Sequence, residues 1–158
     1  MYNNLHTLVE VLHRSFSCKP LLTDHLKHLP KYTGTDWIQY LRNPNLRSTS
    51  WTKDECNNKT IIERNQTFQL SLIRWDPMQC IPFHDHRMND STFMVLRGQI
   101  NESRLPYSPP HDISQFMVKK GEISYITANC QTLHQLENKT PGKSVSLHLN
   151  SFISSQIK

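Results

Sequence analysis

No apolar stretch of the 158-residue chain approaches the roughly 20 residues that a membrane-spanning helix needs, so no membrane association is expected. The first residues, MYNNLHTLVEVLHRSF, lack both a basic leading region and a small-residue cleavage site. No signal peptide is read there, and the expected compartment is the cytoplasm. A CxxC pair is missing too. Cys18, Cys56, Cys80 and Cys130 are widely scattered, which in a cytoplasmic chain predicts reduced thiols rather than a disulfide framework. The net charge is +5, yet no basic run is interleaved with aromatics as a nucleic-acid surface would require. The dispersed Lys and Arg residues predict a solvated surface and no nucleic-acid partner. There is also no internal repeat and no low-complexity segment.

What is present fits one domain over residues 1–158 with a single buried core. Leu5, Leu8, Val9, Leu12 and Phe16 recur at helical spacing behind Asn3 or Asn4 as caps, predicting an amphipathic helix. A second helix is expected over Leu21 to Leu29, stopping before Pro30, and a third over TDWIQYLR, capped by Thr35 or Asp36 and ended by Pro44. The polar stretch 43–58 reads as a connection. From Thr60 onward the texture changes to short alternating runs, TIIERNQTFQLSLIRW, STFMVLRGQI, ISQFMVKK, EISYIT and SVSLHLNSF, separated by Pro, Gly, Ser and Asn. Such punctuation predicts an antiparallel β-sandwich or barrel at 60–158 under a helical cap at 1–45.

Nine histidines are distributed along the chain. His6, His13, His25 and His28 have no ligand-like spacing and read as surface or helix-end residues; His111, beside Pro109-Pro110, reads as a loop residue. His84-Asp85-His86 differs. In or beside a strand, residues i and i+2 share a face, so both imidazoles address one site while Asp85 points away. Neutral imidazoles suit zinc, iron, nickel or copper. A third donor must come from elsewhere, and His134, after the strand-like EISYIT, is the candidate at a barrel rim. Cys80 and Cys130 lie near these histidines but read as buried hydrophobes. Trp37, Trp51 and Trp75 read as packing residues.

HDH, then Gly98 twelve residues on, then His134-x-x-x-Asn138, resembles the two metal-binding motifs of the cupin superfamily. Cupins usually carry a Glu after the HxH pair, and Arg87 to Ser91 offers none. Closer still is the resemblance to the cysteine dioxygenase family. LHTLVEVLHRSF, TDWIQYLR, FQLSLIRW, MVLRGQINESRL, YIT, LHQLEN and SVSLHL are similar to blocks of that family in the same order, over nearly the whole chain.

The resemblance implies a mainly β, cupin jelly-roll barrel holding Fe(2+) on His84, His86 and His134. It implies a monomeric oxidoreductase that converts cysteine or a similar small thiol and O₂ to the sulfinic acid. It further maps active-site positions onto Ser146, His148 and Asn150, which alternate along one strand. The family usually has a tyrosine where this chain has Asn150, and animal members have a crosslinking cysteine where it has Ser91. The family's Tyr-x-Arg element, which would hold the substrate carboxylate, has two placements. Without a gap it falls at Asn57 and Lys59; with one, Arg64 is the match. Lys59 and Arg64 occupy opposite faces if the strand runs straight through both. The departures leave a second expectation open, a metal-binding cupin that holds a small ligand without turnover.

Overall fold

The computed structural model describes residues 1–19, 22–42, 58–86, 89–127 and 130–152. Most of the expected connection, with Trp51, Cys56 and Asn57, lies outside them. Among the described residues two α-helices, α1 (Leu5–Cys18) and α2 (Trp37–Arg42), precede nine strands. These are β1 (Lys59–Arg64), β2 (Phe68–Trp75), β3 (Cys80–His84), β4 (Asp90–Arg97), β5 (Gln99–Pro106), β6 (Ser114–Lys119), β7 (Ile123–Ile126), β8 (Thr132–Glu137) and β9 (Ser144–Ser151).

Asn4 caps α1, its side chain accepting from the Thr7 amide at 2.8 Å. The second expected helix is different. Two 3₁₀ segments, Leu22–Asp24 and Leu26–Lys31, take its place, and the latter runs through Pro30. Pro disfavours α conformation in the residue before it and donates no N–H, but a short 3₁₀ turn closed by the Tyr32 amide on Leu29 O tolerates it. His25 and His28 are also not surface residues; both are buried. Their four ring nitrogens are all engaged. The Tyr2 hydroxyl donates to His28 Nδ1, His28 Nε2–H to Ser15 Oγ, Ser15 Oγ–H to His25 Nδ1, and His25 Nε2–H to the Lys19 carbonyl. Burial lowers both rings, and with both neutral this assignment satisfies every one of the four contacts.

The strands form two sheets, ordered β1-β2-β9-β4-β7 and β3-β8-β5-β6. The antiparallel pairings make a jelly roll, although the sheets stay separate instead of closing into one hydrogen-bonded barrel. β9 explains the layering. Its Val145, Leu147 and Leu149 point outward into a core shared with Leu5, Leu8, Leu12 and Phe16 of α1. Its Ser144, Ser146, His148 and Asn150 take the opposite face, toward the second sheet. The helical cap thus turns the sheet's outer face into the main apolar core, which frees the inner face to carry polar chemistry. A smaller inter-sheet core of Ile73, Trp75, Phe93, Val95, Ile100, Val118 and Leu136 fills the other end. The run STFMVLRGQI is split into β4 and β5 at Gly98, whose φ is +72°; a Cβ there would lie 2.3 Å from Ser144 Oγ. Only glycine meets both demands.

Candidate metal centre and its cavity

His84 ends β3 and His134 is the third residue of β8; the two are cross-strand partners. His134 is therefore inside the sheet, 3% exposed, and not at a rim. His86 lies two residues past the end of β3 and still meets the same point. The Nε2 atom of His134 is 3.0 Å from that of His84 and 2.9 Å from that of His86, and one donor atom from each ring lies within 4.8 Å of the others.

The hydrogen bonds fix the tautomers. His84 Nδ1–H donates to the Pro82 carbonyl at 2.7 Å, and His134 Nδ1–H donates to Glu102 Oε2 at 2.9 Å. In the neutral rings both Nε2 atoms then carry lone pairs, and two lone pairs 3.0 Å apart repel unless a cation lies between them. Burial, then the neighbouring imidazoles, pushes His86 down to about 3, and burial foremost lowers His84. Nitrogens bound at about 2.1 Å and at right angles on one ion lie about 3 Å apart. The donor set fits a metal.

Glu102, on β5, went unnoticed in the sequence. Its carboxylate is 2% exposed and accepts from His134, Ser124 and Arg104. Burial alone would raise it; the hydrogen bonds from His134 and Ser124 and the Arg104 guanidinium hold it below the usual carboxylate value. A carboxylate behind a ligating imidazole fixes its orientation and strengthens it as a donor. The only available clue was alternation. Ile100, Glu102 and Arg104 share one strand face, and a Glu beside a core isoleucine needs a partner.

The three histidines open on a cavity of about 410 Å³ between the sheets. Its walls include apolar Ile73, Ile81, Phe93 and Leu136, and polar Lys59, Ser71, Ser91, His148 and Asn150. Trp75 Nε1–H donates to Ser146 Oγ at 2.8 Å, and Ser146 Oγ shares a 2.6 Å hydrogen bond with His148 Nε2. Where the Ser146 hydroxyl is the donor of that bond, His148 carries its proton on Nδ1. Burial, with Lys59 and the three metal-centre histidines adding repulsion, pushes it down to about 3. Ser91 and Asn150 are cross-strand partners on β4 and β9, and the Ser91 hydroxyl donates to Asn150 Oδ1 at 2.6 Å. Ser146 stands behind His148, away from the cavity lining.

The two candidate cations are treated differently. Lys59 lines the cavity; Arg64 does not. A bulge between Ile61 and Glu63 changes the register, so Lys59 pairs with Ile73 and Arg64 with Gln69. The opposite-face alternation assumed for a straight strand is thus cancelled. Arg64 instead sits at the far end of β1, exposed, with its guanidinium 6.0 Å from the Phe152 ring centroid. Cys80 and Cys130 are half-buried rather than buried and free of disulfides. Cys80 Sγ accepts from the Gln135 amide.

Fold and donor set together define a cupin-type jelly roll with a three-histidine candidate metal centre. Three solved structures share the fold at 15% identity. TT1209 from Thermus thermophilus has a TM-score of 0.53, covering 74% of this chain and 94% of its own. BH2720 from Bacillus halodurans has a TM-score of 0.53, covering 63% and 72%. A conserved protein with a double-stranded β-helix domain from Klebsiella pneumoniae has a TM-score of 0.51, covering 72% and 84%. No curated protein matches the chain in sequence. Residues 4–158 do match the family model of cysteine dioxygenase type I, and the chain belongs to that family.

Proposed function

We propose that the protein is an iron(II)-dependent thiol dioxygenase that oxidises L-cysteine, or a similar small thiol, to its sulfinic acid. The observation that carries this reading is the convergence of three imidazole donor atoms at a half-apolar cavity in a chain of the cysteine dioxygenase family. The overall reaction converts RSH and O₂ to RSO₂⁻ and a proton, with sulfur losing the four electrons that O₂ gains. Bound iron(II) would supply the one-electron chemistry with O₂ and a positive charge that favours the thiolate.

This chain's residues would do the rest. His84, His86 and His134 would hold the ion, with Glu102 keeping His134 in its donor tautomer. Lys59 would neutralise a substrate carboxylate as a single ammonium donor, without the two-pronged hold of a guanidinium. His148, kept neutral by burial and hydrogen-bonded by Ser146, would offer Nδ1–H to the reacting groups. Asn150, steadied by Ser91, would offer its amide N–H where the family uses a phenol. The apolar walls would limit water. Free Cys18, Cys80 and Cys130 suit the reducing cytoplasm in which we place the protein.

Anaerobic loading with iron(II), addition of O₂ and product analysis with L-cysteine, 3-mercaptopropionate and cysteamine test the proposal. A sulfinate from at least one thiol is expected, and none from all three would reject it. Asn150 in place of the tyrosine supports a second reading, a metal-binding cupin that holds a small ligand without turnover. Thiol binding to the ferrous protein with no sulfinate would establish that one instead.

A further inference from the structure

A sheet edge presents unpaired N–H and C=O groups that template further strands, and folded proteins blunt such edges with bulges, prolines or very short strands. Among the described residues, three of the four edges are blunted in this way. β1 has the bulge between Ile61 and Glu63. β3 carries Pro82 and loses register between Ile81 and His84, and β7 is only four residues long. β6 has none of these devices. It ends its sheet, spans six residues without a proline, and keeps an unbroken register with β5 from Gln99–Lys119 to Arg104–Ser114. Apolar side chains lie open along it: Ile113 is 53%, Phe116 48% and Met117 47% exposed.

The free edge has a definite phase. The Lys119 amide donates to the Glu122 carboxylate at 2.8 Å, and the Lys119 carbonyl accepts from the Glu122 amide at 2.9 Å. Both main-chain groups of Lys119 therefore point away from β5. In an antiparallel ladder, residues alternate between bonding the neighbouring strand and pointing away from it. Met117 and Gln115, and Ile113 one step beyond the strand, thus direct their N–H and C=O groups outward, while Val118, Phe116 and Ser114 bond β5.

A second β6, antiparallel about a twofold axis, must set outward residues against outward residues. Glu122 already covers Lys119, which decides the register. An axis through Met117 would put Gln115 of the second copy against Lys119, and an axis through Phe116 would put Ile113 there. With the axis through Gln115, the ladder ends at Met117 against Ile113 of the second copy. It stops before reaching His111, whose ring bonds back to the Pro106 carbonyl. This register uses the outward groups of Ile113, Gln115 and Met117, and covers two of the exposed apolar side chains with each other. The charges agree with it. Asp112 falls opposite Val118 of the second copy, one diagonal step of about 7–8 Å from that copy's Lys120, which a lysine side chain spans. Both side chains are exposed.

We propose that the protein forms a twofold-symmetric homodimer through antiparallel pairing of β6 about Gln115, joining two four-stranded sheets into one. This replaces the monomer that family resemblance implies. It does not depend on the thiol dioxygenase proposal, because no residue of β6 lines the cavity of the three histidines. One strand from each copy makes an interface smaller than the standard of about 1,600 Å², so the dimer should be of micromolar affinity.

Sedimentation velocity of the full chain in reducing buffer, over about 1–300 µM, should show monomer passing to dimer with a Kd of about 10–100 µM. Asp112→Lys sets like charges together on both sides of the axis and should weaken the dimer about tenfold. Adding Lys120→Asp restores opposite charges and should bring the affinity back to within about threefold of wild type. Gln115→Pro removes the N–H at the axis without removing a bond to β5, and should abolish the dimer while leaving the circular dichroism spectrum unchanged. If that variant does not fold, the charge exchange decides alone. A monomer mass across the whole range overturns the proposal. So does a dimer that Asp112→Lys leaves intact, that the exchange fails to restore, or that persists in folded Gln115→Pro, since such a dimer would use another face.

Discussion

Replacing Glu102 by Gln tests whether the metal centre depends on a carboxylate that is not itself a metal ligand but hydrogen-bonds one. The change preserves shape, so Gln Oε1 can still accept from His134 Nδ1–H, now as a neutral acceptor. A hydrogen bond to a charged acceptor is worth about 1.5–3 kcal/mol, against about 1 for a neutral one. The amide NH₂ would also confront Ser124 and Arg104, which donate to the present carboxylate. The resulting weakening of His134 as a donor should lower metal affinity about 10- to 100-fold, the usual effect of losing a carboxylate behind a ligating histidine. Competition for iron(II) or zinc(II) against a chelator of known affinity would measure it, with circular dichroism of the metal-free variant as the folding control. An affinity within threefold of wild type, in a variant that folds and melts normally, would refute the assignment of Glu102 as the group that poises His134.

Acid should destabilise the metal-free protein through its buried imidazoles. Burial lowers His25, His28 and His84 and pushes His86 and His148 down to about 3, from an ordinary 6.5. The unfolded chain then binds more protons, so stability is complete above about pH 6.5 and is lost as pH falls toward 3; a melting temperature flat between about pH 7.5 and 4.5 would contradict this, and His148→Gln should shallow the slope. Gly98→Ala should cost about 2–4 kcal/mol, from the positive φ and the displaced Ser144 hydroxyl, read as a lower urea midpoint; an unchanged midpoint would show that the turn can relax. Asn150→Ala should lower kcat about three- to tenfold, one hydrogen bond in the transition state, with iron affinity unchanged. Equal kcat would remove Asn150 from the reaction.

Several features were legible in the sequence because they depend on neighbours along the chain. The apolar stripe from Leu5 to Phe16 needs only helical periodicity. The pairing of His84 with His86 needs only a two-residue spacing, and the in-out division of β9 follows from strict alternation. Block resemblance strengthened His134 and added the positions of Ser91 and Asn150, which the structure puts side by side across two strands. Other features arise from contacts between residues distant in the chain, and local pattern does not encode them. The β1 bulge, which cancels the opposite-face alternation expected of Lys59 and Arg64, is one residue of register between β1 and β2. Glu102 and His134 are 32 residues apart and meet because β5 pairs with β8. His25 and His28 look solvent-facing until Ser15 and Tyr2 arrive to satisfy their nitrogens. Ser71 reads as an ordinary strand serine until the facing sheet encloses it in a cavity with no partner for its hydroxyl among the described residues. Sequence alone thus determined the donor residues and the class of fold. Tertiary structure decided which charges and hydroxyls surround them, because burial and register are properties of the assembled sheets.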